Sequence, residues 1–217
     1  MKTTIALHRR SAGRRPKSDQ PAGDTRAAIL AAARRLFAQR GFEGASMREV
    51  AEAARVNNAM IYYHFKDKDD LYRAIIHDSV AGLNSIWDDP LFTSSATIQQ
   101  KIRRYIVEFI RYEENSEDIR RIMAMEFAKS GKIKCICEEF FADNQARLIE
   151  LVKAGIKSGE LKKIDPFMAV AALIGIIVHN FIMLPMAEHV KGKKISWSAD
   201  ELGDFVAELF FKGLAKS

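Results

Sequence analysis

The stretch that decides the fold spans residues 46–71 and reads SMREVAEAARVNNAMIYYHFKDKDDL. Ser46 and Glu49 have the spacing of a capping box, so the pattern predicts a helix that starts directly after Ser46. Asn57 is a favourable N-cap for a second short helix that starts at Asn58. Only three or four residues separate the two helices. Two short helices joined in this way form a helix-turn-helix unit.

Helical spacing divides the second helix into a buried side and an exposed side. Ile61 and Phe65 are four residues apart and are predicted to point into the core. The other side chains are predicted to point outward: Asn58, Ala59, Met60, Tyr62, Tyr63 and His64. In a helix-turn-helix unit the second helix enters the DNA major groove, so this outward face is the candidate reading surface.

The segments on either side complete a small domain. An amphipathic helix over residues 24–39 precedes the unit, and Gly41 suits the left-handed residue that ends a helix. Phe42 follows and is predicted to close a three-helix core. Asp67 is predicted to cap a further helix that begins at Lys68. The small core should lean on that helix, because about fifty residues bury little surface alone.

Residues 24–71 resemble the N-terminal domain of the tetracycline-repressor (TetR) family of bacterial transcriptional regulators. The opening amphipathic helix carries the resemblance together with these residues: Phe37, Gly41, Phe42, Ser46, Val50, Ala51, Ala54, Val56, Ile61, Tyr62, Tyr63, His64, Phe65, Lys68 and Leu71. The resemblance implies an all-α fold, in which a three-helix DNA-binding domain precedes a larger helical ligand-binding and dimerisation domain. One residue departs from the family pattern. Arg55 stands where the family usually has glycine, so a non-glycine residue should adopt a left-handed conformation there.

The side chains of this unit are matched to DNA by their chemistry. Asparagine can bond adenine bidentately and arginine can bond guanine, while apolar groups pack on the thymine methyl. The side chains expected at base edges are Arg48, Asn58, Met60 and Tyr62, with Ala59 beside them on the same face. Those expected at phosphates are Ser46, Tyr63, His64 and Lys68. A competing interpretation is that Tyr62 and Tyr63 partly pack the domain core.

Positive charge is concentrated ahead of the first helix. Residues 1–23 contain six Lys and Arg side chains and one acid, so this segment holds five of the chain's net six positive charges. Its composition predicts disorder in isolation. Two interpretations stay open: an arm that follows DNA phosphates or the minor groove, with residues 14–17 as the contact, or a solvated tail. Its apolar run is too short for a secretory signal.

From residue 72 onward the spacing predicts only helices with short breaks, over residues 72–87, 96–114, 117–129, 133–158, 166–188 and 198–214. Their converging faces mix aromatic, thioether and a few polar groups, which suits a mainly apolar effector held by one or two hydrogen bonds. The predicted ligand pocket consists of Phe109, Tyr112, Met123, Phe127, Phe141, His179, Asn180 and Met183. The simpler interpretation is that most of these residues are core.

Residues 166–187 carry no formal charge, and this run is long enough to cross a bilayer. Against a membrane span stand His179 and Asn180 at its middle, a proline inside it and the lack of a second such run. A helix that is apolar all round is also what a buried element beside a partner subunit requires. By the resemblance, this helix and the last one form the dimer interface. A charge at Gly175 or Phe210 is then expected to break the dimer.

Other function classes find little support in the sequence. Cys135 and Cys137 are two residues apart, which on a helix places them about 200° apart and suits neither mutual pairing nor shared metal binding. Structural cysteines in a reducing cytosol are expected, with a thiol sensor as the alternative. The five histidines are scattered, and no phosphate loop, nucleophile elbow or carboxylate pair stands out. No enzymatic activity, metal or cofactor is therefore expected.

The sequence thus predicts a cytoplasmic, homodimeric, ligand-responsive regulator that binds a double-stranded DNA operator. A repressor released from a palindromic operator by a small, mainly apolar effector is the simplest form, with activation left open. The predicted divisions are a basic arm (1–23), a DNA-binding domain (24–71) and a ligand-binding and dimerisation domain (72–217). Two rival classes remain: a helical binding or structural protein that no longer reads DNA, and a membrane-anchored regulator.

Overall fold

The computed structural model describes residues 22–127 and 141–214, and every regular element within these ranges is helical. Two 3₁₀ turns, Ser85–Asp88 and Pro90–Thr93, connect the fourth α-helix to the fifth. The α-helices are α1 (Ala22–Arg40), α2 (Met47–Ala53), α3 (Asn58–His64), α4 (Lys68–Asn84), α5 (Ile98–Glu114), α6 (Glu117–Phe127), α7 (Ala142–Ser158), α8 (Pro166–Lys191) and α9 (Ala199–Leu214). The predicted all-α fold is confirmed for the part of the chain that the structure describes.

The first hydrophobic core lies among α1 to α4, and the residues that predicted it are buried. Phe37, Ile61 and Leu71 are fully shielded from solvent, and Phe42 closes the core from the loop after α1. The rings of Phe37, Phe42 and Tyr72 lie 5.1 to 5.8 Å apart in tilted and edge-on arrangements. Such arrangements stabilise aromatic clusters beyond their burial.

Caps fix where α2, α3 and α4 begin. The Glu49 N–H donates to Ser46 Oγ at 3.2 Å, and the Ser46 N–H donates to the Glu49 carboxylate at 2.9 Å, which closes the predicted capping box. Donation to the Glu49 carboxylate, first from the Ser46 hydroxyl and then from the Ser46 N–H, holds the pKa of Glu49 below its usual range. Asn57 caps α3 by accepting from the Met60 N–H at 2.8 Å. Asp67 caps α4 in the same way, so local sequence fixes where each of these three helices begins.

The turn between α2 and α3 is a Schellman motif with arginine in the left-handed position. Arg55 has a φ of 59°. Its N–H donates to the Glu52 carbonyl at 3.1 Å, and the Val56 N–H donates to the Ala51 carbonyl at 3.0 Å. The left-handed conformation predicted for Arg55 is confirmed. The turn keeps both bonds of the motif while Arg55 bears the strain of a Cβ in this region.

Replacing Arg55 by glycine is expected to raise the free energy of unfolding by about 0.5–1 kcal/mol. A left-handed residue with a Cβ costs about 1–2 kcal/mol, which exceeds the about 0.4–1 kcal/mol that glycine adds in unfolded-state entropy. Urea unfolding measures the difference. Arg55→Ala is the control, because alanine removes the guanidinium but keeps the Cβ. Equal stabilisation by both variants would show that backbone strain is not the cause.

Helix α4 contributes to two hydrophobic cores. Five of its side chains are buried in the first core: Leu71, Tyr72, Ile75, Ile76 and Val80. Leu83, near its end, enters the second core. Helix α6 also reaches the first core, through Ile119 and Ile122. The first core therefore continues past residue 71, where the sequence suggested a domain boundary, and that boundary stays a proposal.

The second core is enclosed by α5, α7, α8 and α9. Each of these helices supplies fully buried side chains, among them Tyr105, Leu148, Ile177 and Val206. Helices α5 and α9 pack closely at Gly203, where an added Cβ would lie 2.5 Å from Cγ2 of Val107. Glycine at this position therefore permits the close helix contact.

Some element boundaries differ from the predicted ones. Helix α1 begins at Ala22, inside the segment assigned to the basic arm. Helix α4 ends at Asn84, and the predicted continuation to residue 87 is a 3₁₀ turn. Asp89 is extended, as expected for the residue before Pro90. Helix α8 runs on to Lys191 with a proline inside it. The predicted helical residues between 128 and 140 lie outside the described residues.

Candidate DNA-binding surface and the C-terminal helices

Helix α3 presents a polar and aromatic face to solvent. Ile61 and Phe65 anchor its inner side, while Asn58, Ala59 and Tyr62 are exposed. Tyr63 is 76% exposed, so the interpretation of Tyr62 and Tyr63 as core residues is wrong. Seven residues of helix span about 10 Å, which a major groove about 12 Å wide accommodates. The predicted outward orientation is confirmed for Asn58, Ala59, Tyr62 and Tyr63, whereas Met60 and His64 are partly buried. Contacts with DNA remain proposals.

The side chains of Arg48, in α2, and Ser46, its N-cap, differ in how readily they could exchange their intramolecular partners for DNA. Arg48 is 82% exposed and pairs with Glu52 at 3.1 Å, four residues along the helix. Such exposed pairs contribute only about 0.3–0.5 kcal/mol, so the guanidinium can exchange this partner for a base edge. The Ser46 hydroxyl is already committed, since it also donates to the Glu49 carboxylate at 2.7 Å. A phosphate contact by Ser46 therefore competes with the capping box.

Lys68 holds the start of α4 against the loop between α1 and α2. Its Nζ donates to the Ala45 carbonyl at 3.1 Å and lies 4.2 Å from the centroid of the Phe42 ring. The Glu43 carboxylate is 3.9 Å away, and the Lys68 side chain is largely covered. The phosphate contact predicted for Lys68 thus has intramolecular competitors, which a sequence separation of 23 residues concealed.

His64 is a partly buried member of the predicted DNA-binding set. Its ring is edge-on to the Tyr63 ring at 5.1 Å, and its Nε2 atom is buried without a hydrogen-bond partner. Any phosphate contact from His64 has to use the other ring nitrogen. The exposed Tyr63 hydroxyl is better placed to meet a phosphate.

Comparisons with known proteins identify the family to which this surface belongs. Residues 29–75 match the model of the bacterial regulatory proteins, tetR family. This chain is a TetR-family protein. The HTH-type transcriptional regulator RutR of Escherichia coli (strain K12) is 28% identical over 170 residues, which cover 76% of this chain and 77% of RutR. The HTH-type transcriptional repressor AcnR of Corynebacterium glutamicum is 24% identical over 168 residues, which cover 76% and 82% of the two chains.

The whole fold of the TetR-family protein also has counterparts among solved structures. The transcriptional regulator FadR of Bacillus subtilis, solved in complex with stearoyl-CoA, is similar with a TM-score of 0.72 at 20% identity. The match covers 86% of this chain and 98% of that FadR chain. This likeness establishes a shared fold. The family match and the sequence relatives identify the protein as a transcriptional regulator.

The residues predicted for a ligand pocket are dispersed in the C-terminal helices. Phe109 is buried in the second core, with its ring 6.2 Å from the Tyr112 ring. Met123 is partly buried against the first core, and Phe141 touches both cores. The side chain of Phe127 lies outside the part that the structure describes. The structure therefore does not bring these residues together around one cavity.

Two members of the predicted pocket lie on the solvent side of α8. His179 and Met183 are exposed, so their assignment to an interior pocket is wrong for the single chain. Apolar residues occur on every side of α8, so the sequence does not indicate which side of the helix is buried. Asn180 lines a groove of about 250 Å³ beside α6 and α9. Tyr112 lines a different groove of about 430 Å³ between α4 and α5.

An exposed apolar patch runs the length of α8 and continues on α9. Its members recur at helical spacing and are Met168, Ala171, Ala172, Gly175, His179, Ile182, Met183, Met186 and Val190 of α8, with Phe205 and Leu209 of α9. We call this surface the α8–α9 patch. Within the described residues, α8 is also the one helix long and apolar enough to cross a membrane, and 22% of its apolar window is buried. A helix face with this many exposed apolar side chains is typical of an interaction surface.

Sequence reasoning missed a polar pair inside the second core. The Tyr105 hydroxyl donates to Asn144 Oδ1 at 2.7 Å, and both residues are buried. Burial raises the pKa of Tyr105 above its ordinary value, so the hydroxyl stays protonated. The spacing of Asn144 in the sequence could have indicated its burial. Asn144 occupies the inward register of α7, four residues before Leu148 and eight before Val152.

Metal-binding side chains are not grouped in this part of the protein. Across residues 22–127 and 141–214, no three His, Cys, Asp or Glu side chains come close enough to hold an ion. Cys135 and Cys137 lie outside the described residues, so their expected structural role stays a prediction.

Proposed function

We propose that this TetR-family protein is a cytoplasmic homodimer that represses transcription from a palindromic operator and is released by a small, mainly apolar effector. The observation that carries the proposal is the exposed polar and aromatic face of α3. Its orientation is fixed by the anchors Ile61 and Phe65 and by the Asn57 cap. AcnR, which is named a repressor, supports the direction of control.

The α8–α9 patch supports a two-fold dimer. A two-fold interface uses the same surface on both subunits, and two recognition helices then meet half-sites about one DNA turn or a multiple apart. A membrane is the competing occupant of this patch. If the patch is a dimer interface, the protein should stay in the supernatant without detergent and should not co-sediment with lipid vesicles.

An apolar effector is supported by composition and by fold likeness. The second core is rich in aromatic and aliphatic side chains, and sites for small molecules are mostly apolar with a few placed polar groups. FadR, which shares the fold, was solved with stearoyl-CoA, a ligand with a long apolar chain. A ligand that binds the DNA-incompetent conformation better would shift the population away from operator binding.

Gel-shift titration against DNA flanking the protein's own gene tests the function. Saturable binding that survives excess non-specific competitor DNA, with a footprint of two related half-sites, is the expected result. Scrambled half-sites of equal length are the control. Equal affinity for intact and scrambled DNA would favour a helical protein that no longer reads sequence.

Base-reading and phosphate-contacting residues are expected to respond differently to mutation. Arg48→Ala and Asn58→Ala should each lose about 1–3 kcal/mol of discrimination at one base position. Tyr63→Phe should weaken binding to all sequences alike by about 1 kcal/mol, because one hydroxyl contact is lost. Fluorescence anisotropy over single-base operator variants separates the two classes. Lys68 is a poor test residue because its ammonium also holds α4 in place.

A uniform loss of affinity would contradict the base-reading roles of Arg48 and Asn58. If Arg48→Ala and Asn58→Ala lowered the affinity for every operator variant by the same factor, neither residue would read bases. Glu52→Ala serves as the control, because it frees Arg48 from its ion pair without removing any proposed DNA contact.

Deleting residues 1–21 is expected to flatten the dependence of log K on log salt. The segment carries six Lys and Arg side chains. Each phosphate contact contributes a slope of about 0.9, so loss of half of them changes the slope by about 3. The cut falls before α1 begins at Ala22, which leaves the helix intact. An unchanged slope would identify the segment as a solvated tail.

A further inference from the structure

Two buried polar atoms near the end of α4 have no hydrogen-bond partner. They are Asn84 Oδ1 and Trp87 Nε1. Buried polar groups are nearly always paired with protein, water or a ligand, because leaving them unpaired is costly. Asn84 ends α4 and Trp87 lies three residues on, in the 3₁₀ turn Ser85–Asp88. Side chains three apart eclipse in a 3₁₀ turn, and Asn84 directly precedes this one, so the two side chains have the spacing of neighbours on one side of the chain.

A polar pair from α5 and α7 lies next to this part of the chain. The Trp87 ring lies 5.2 Å from the ring of Tyr105, whose hydroxyl donates to Asn144 Oδ1. Asn144 Nδ2 in turn approaches the carbonyl of Leu83, the residue before Asn84, at 3.5 Å. We call Asn84, Trp87, Tyr105 and Asn144 the α4–α5–α7 polar cluster. It joins three helices at the edge of the second core.

The partners of the two atoms must be complementary. The carbonyl oxygen of Asn84 accepts hydrogen bonds, whereas the indole N–H of Trp87 only donates. A carboxylate would satisfy Trp87 but would set its charge against Asn84 Oδ1, and no member of the cluster is charged. The aromatic rings of Trp87, Tyr105 and Phe109 follow one another at 5.2 and 5.8 Å, so the surroundings of the Trp87 N–H are largely apolar.

We propose that the α4–α5–α7 polar cluster recognises the effector, and that the effector carries an uncharged amide-type group, with a donor beside an acceptor, on an apolar body. Its N–H meets Asn84 Oδ1 and its carbonyl meets the Trp87 N–H. This inference rests on the proposed function and specifies the chemistry of its ligand. None of these four residues was among those that the sequence suggested for a pocket.

Two lactam probes test the proposal on the full-length protein labelled with ¹⁵N. ε-Caprolactam presents an N–H beside a carbonyl, and N-methylcaprolactam keeps the carbonyl but lacks the N–H. The chain has two tryptophans, so the indole N–H region holds two signals, and Trp87→Phe assigns them. Trp197 is 45% exposed and serves as the internal control.

Caprolactam is expected to shift the Trp87 N–H signal saturably while the Trp197 signal stays in place. N-methylcaprolactam should bind about fivefold more weakly or worse, since the hydrogen bond to Asn84 is lost. In Asn84→Leu this difference between the lactams should disappear, which separates hydrogen bonding from the bulk of the methyl group. No saturable shift at Trp87 would overturn the proposal, and so would equal affinities of the two lactams for the wild type. A buried water as the true partner predicts the first of these results.

The Asn84→Leu variant and a DNA-binding assay distinguish failure of this inference from failure of the proposed function. Asn84→Leu is close in size and removes a polar atom that has no partner, so it should fold with at least wild-type stability in urea. Operator binding is measured in parallel. A protein that binds its operator but shows no response at Trp87 contradicts this inference alone. A protein that binds caprolactam but no operator contradicts the proposed function alone.

Discussion

Gly175→Glu is expected to convert the proposed dimer into monomers and to lower operator affinity by at least about 100-fold. Gly175 is exposed in the middle of the α8–α9 patch, and an added Cβ there meets nothing within 4 Å. A single subunit therefore accommodates the glutamate. In the dimer the carboxylate would be buried without a partner, which costs about 3 kcal/mol or more. Monomers cannot hold two half-sites at once, so operator affinity falls with dimerisation.

Light scattering after gel filtration and anisotropy with a palindromic operator measure the two effects. Ala146→Glu places the same charge on the exposed side of α7 and is the matched control, with both properties expected to stay at wild-type values. A Gly175→Glu protein that remained dimeric would remove α8 from the interface. A stable monomer that bound the palindrome as tightly as wild type would contradict the link between dimer and operator.

Phe210 is not an equivalent position for this test, although the sequence suggested it. It is 6% exposed and belongs to the second core of its own subunit. A charge at Phe210 would therefore disrupt folding and would not report on the dimer. Phe205, on the exposed side of the same helix, is the suitable second interface position.

Arg120→Met is expected to lower the free energy of unfolding by about 2–3 kcal/mol at pH 7. The Arg120 guanidinium donates to the Glu113 carbonyl, lies 3.4 Å from the Glu113 carboxylate and stands over the Phe181 ring at 4.9 Å. The two charged side chains are only 17% and 10% exposed. Methionine keeps the apolar stem but leaves Glu113 buried without its counter-charge, which is the costly way to break such a pair.

The loss should shrink as the pH falls. Burial raises the pKa of Glu113, and Arg120 opposes that rise. Without Arg120 the folded protein binds a proton at Glu113 at a pH where the unfolded chain does not, so its stability increases as the pH falls through the raised value. Urea unfolding at pH 7 and pH 5 measures this. A loss that did not depend on pH would assign the effect to packing on Phe181.

Two further variants complete the Arg120 test. Arg121→Met removes a neighbouring arginine whose pair with Glu117 is exposed, at 58% and 63% of the two side chains. It should cost at most about 0.5 kcal/mol. Adding Glu113→Gln to Arg120→Met removes the buried charge and should restore most of the loss. Failure of the double variant to recover would show that the charge of Glu113 is not responsible.

The parts of this structure that sequence predicted correctly are those fixed by near neighbours. The capping box at Ser46 and the cap at Asn57 each involve residues three apart. The left-handed Arg55 follows from the turn itself. The buried pair Ile61 and Phe65 follows from helical spacing. In these cases the chain within one or two turns of helix contains all the determining contacts, so a local pattern is sufficient.

The parts that sequence did not predict depend on contacts across the fold. The partner of Lys68 is a backbone carbonyl 23 residues away, which no side-chain pattern encodes. The rotation of α8 depends on how its neighbours pack, since apolar residues on every side fit either orientation. His179 was therefore assigned to the interior and lies outside. Asn84 and Trp87 were passed over because a polar residue near a helix end is usually solvated, and only the fold shows their atoms buried.

The sharing of α4 between the two cores has a consequence for cooperativity. A fragment that stopped at residue 71 would strip the first core of Tyr72, Ile75, Ile76 and Val80. Helix α6 adds Ile119 and Ile122 to the same core from still farther along the chain. Helices α1 to α3 therefore cannot unfold separately from the rest of the protein without disrupting α4. We expect a single unfolding transition. In native-state hydrogen exchange, the central amides of α4 should open only with the whole molecule, which makes this helix the last part of the described chain to lose protection.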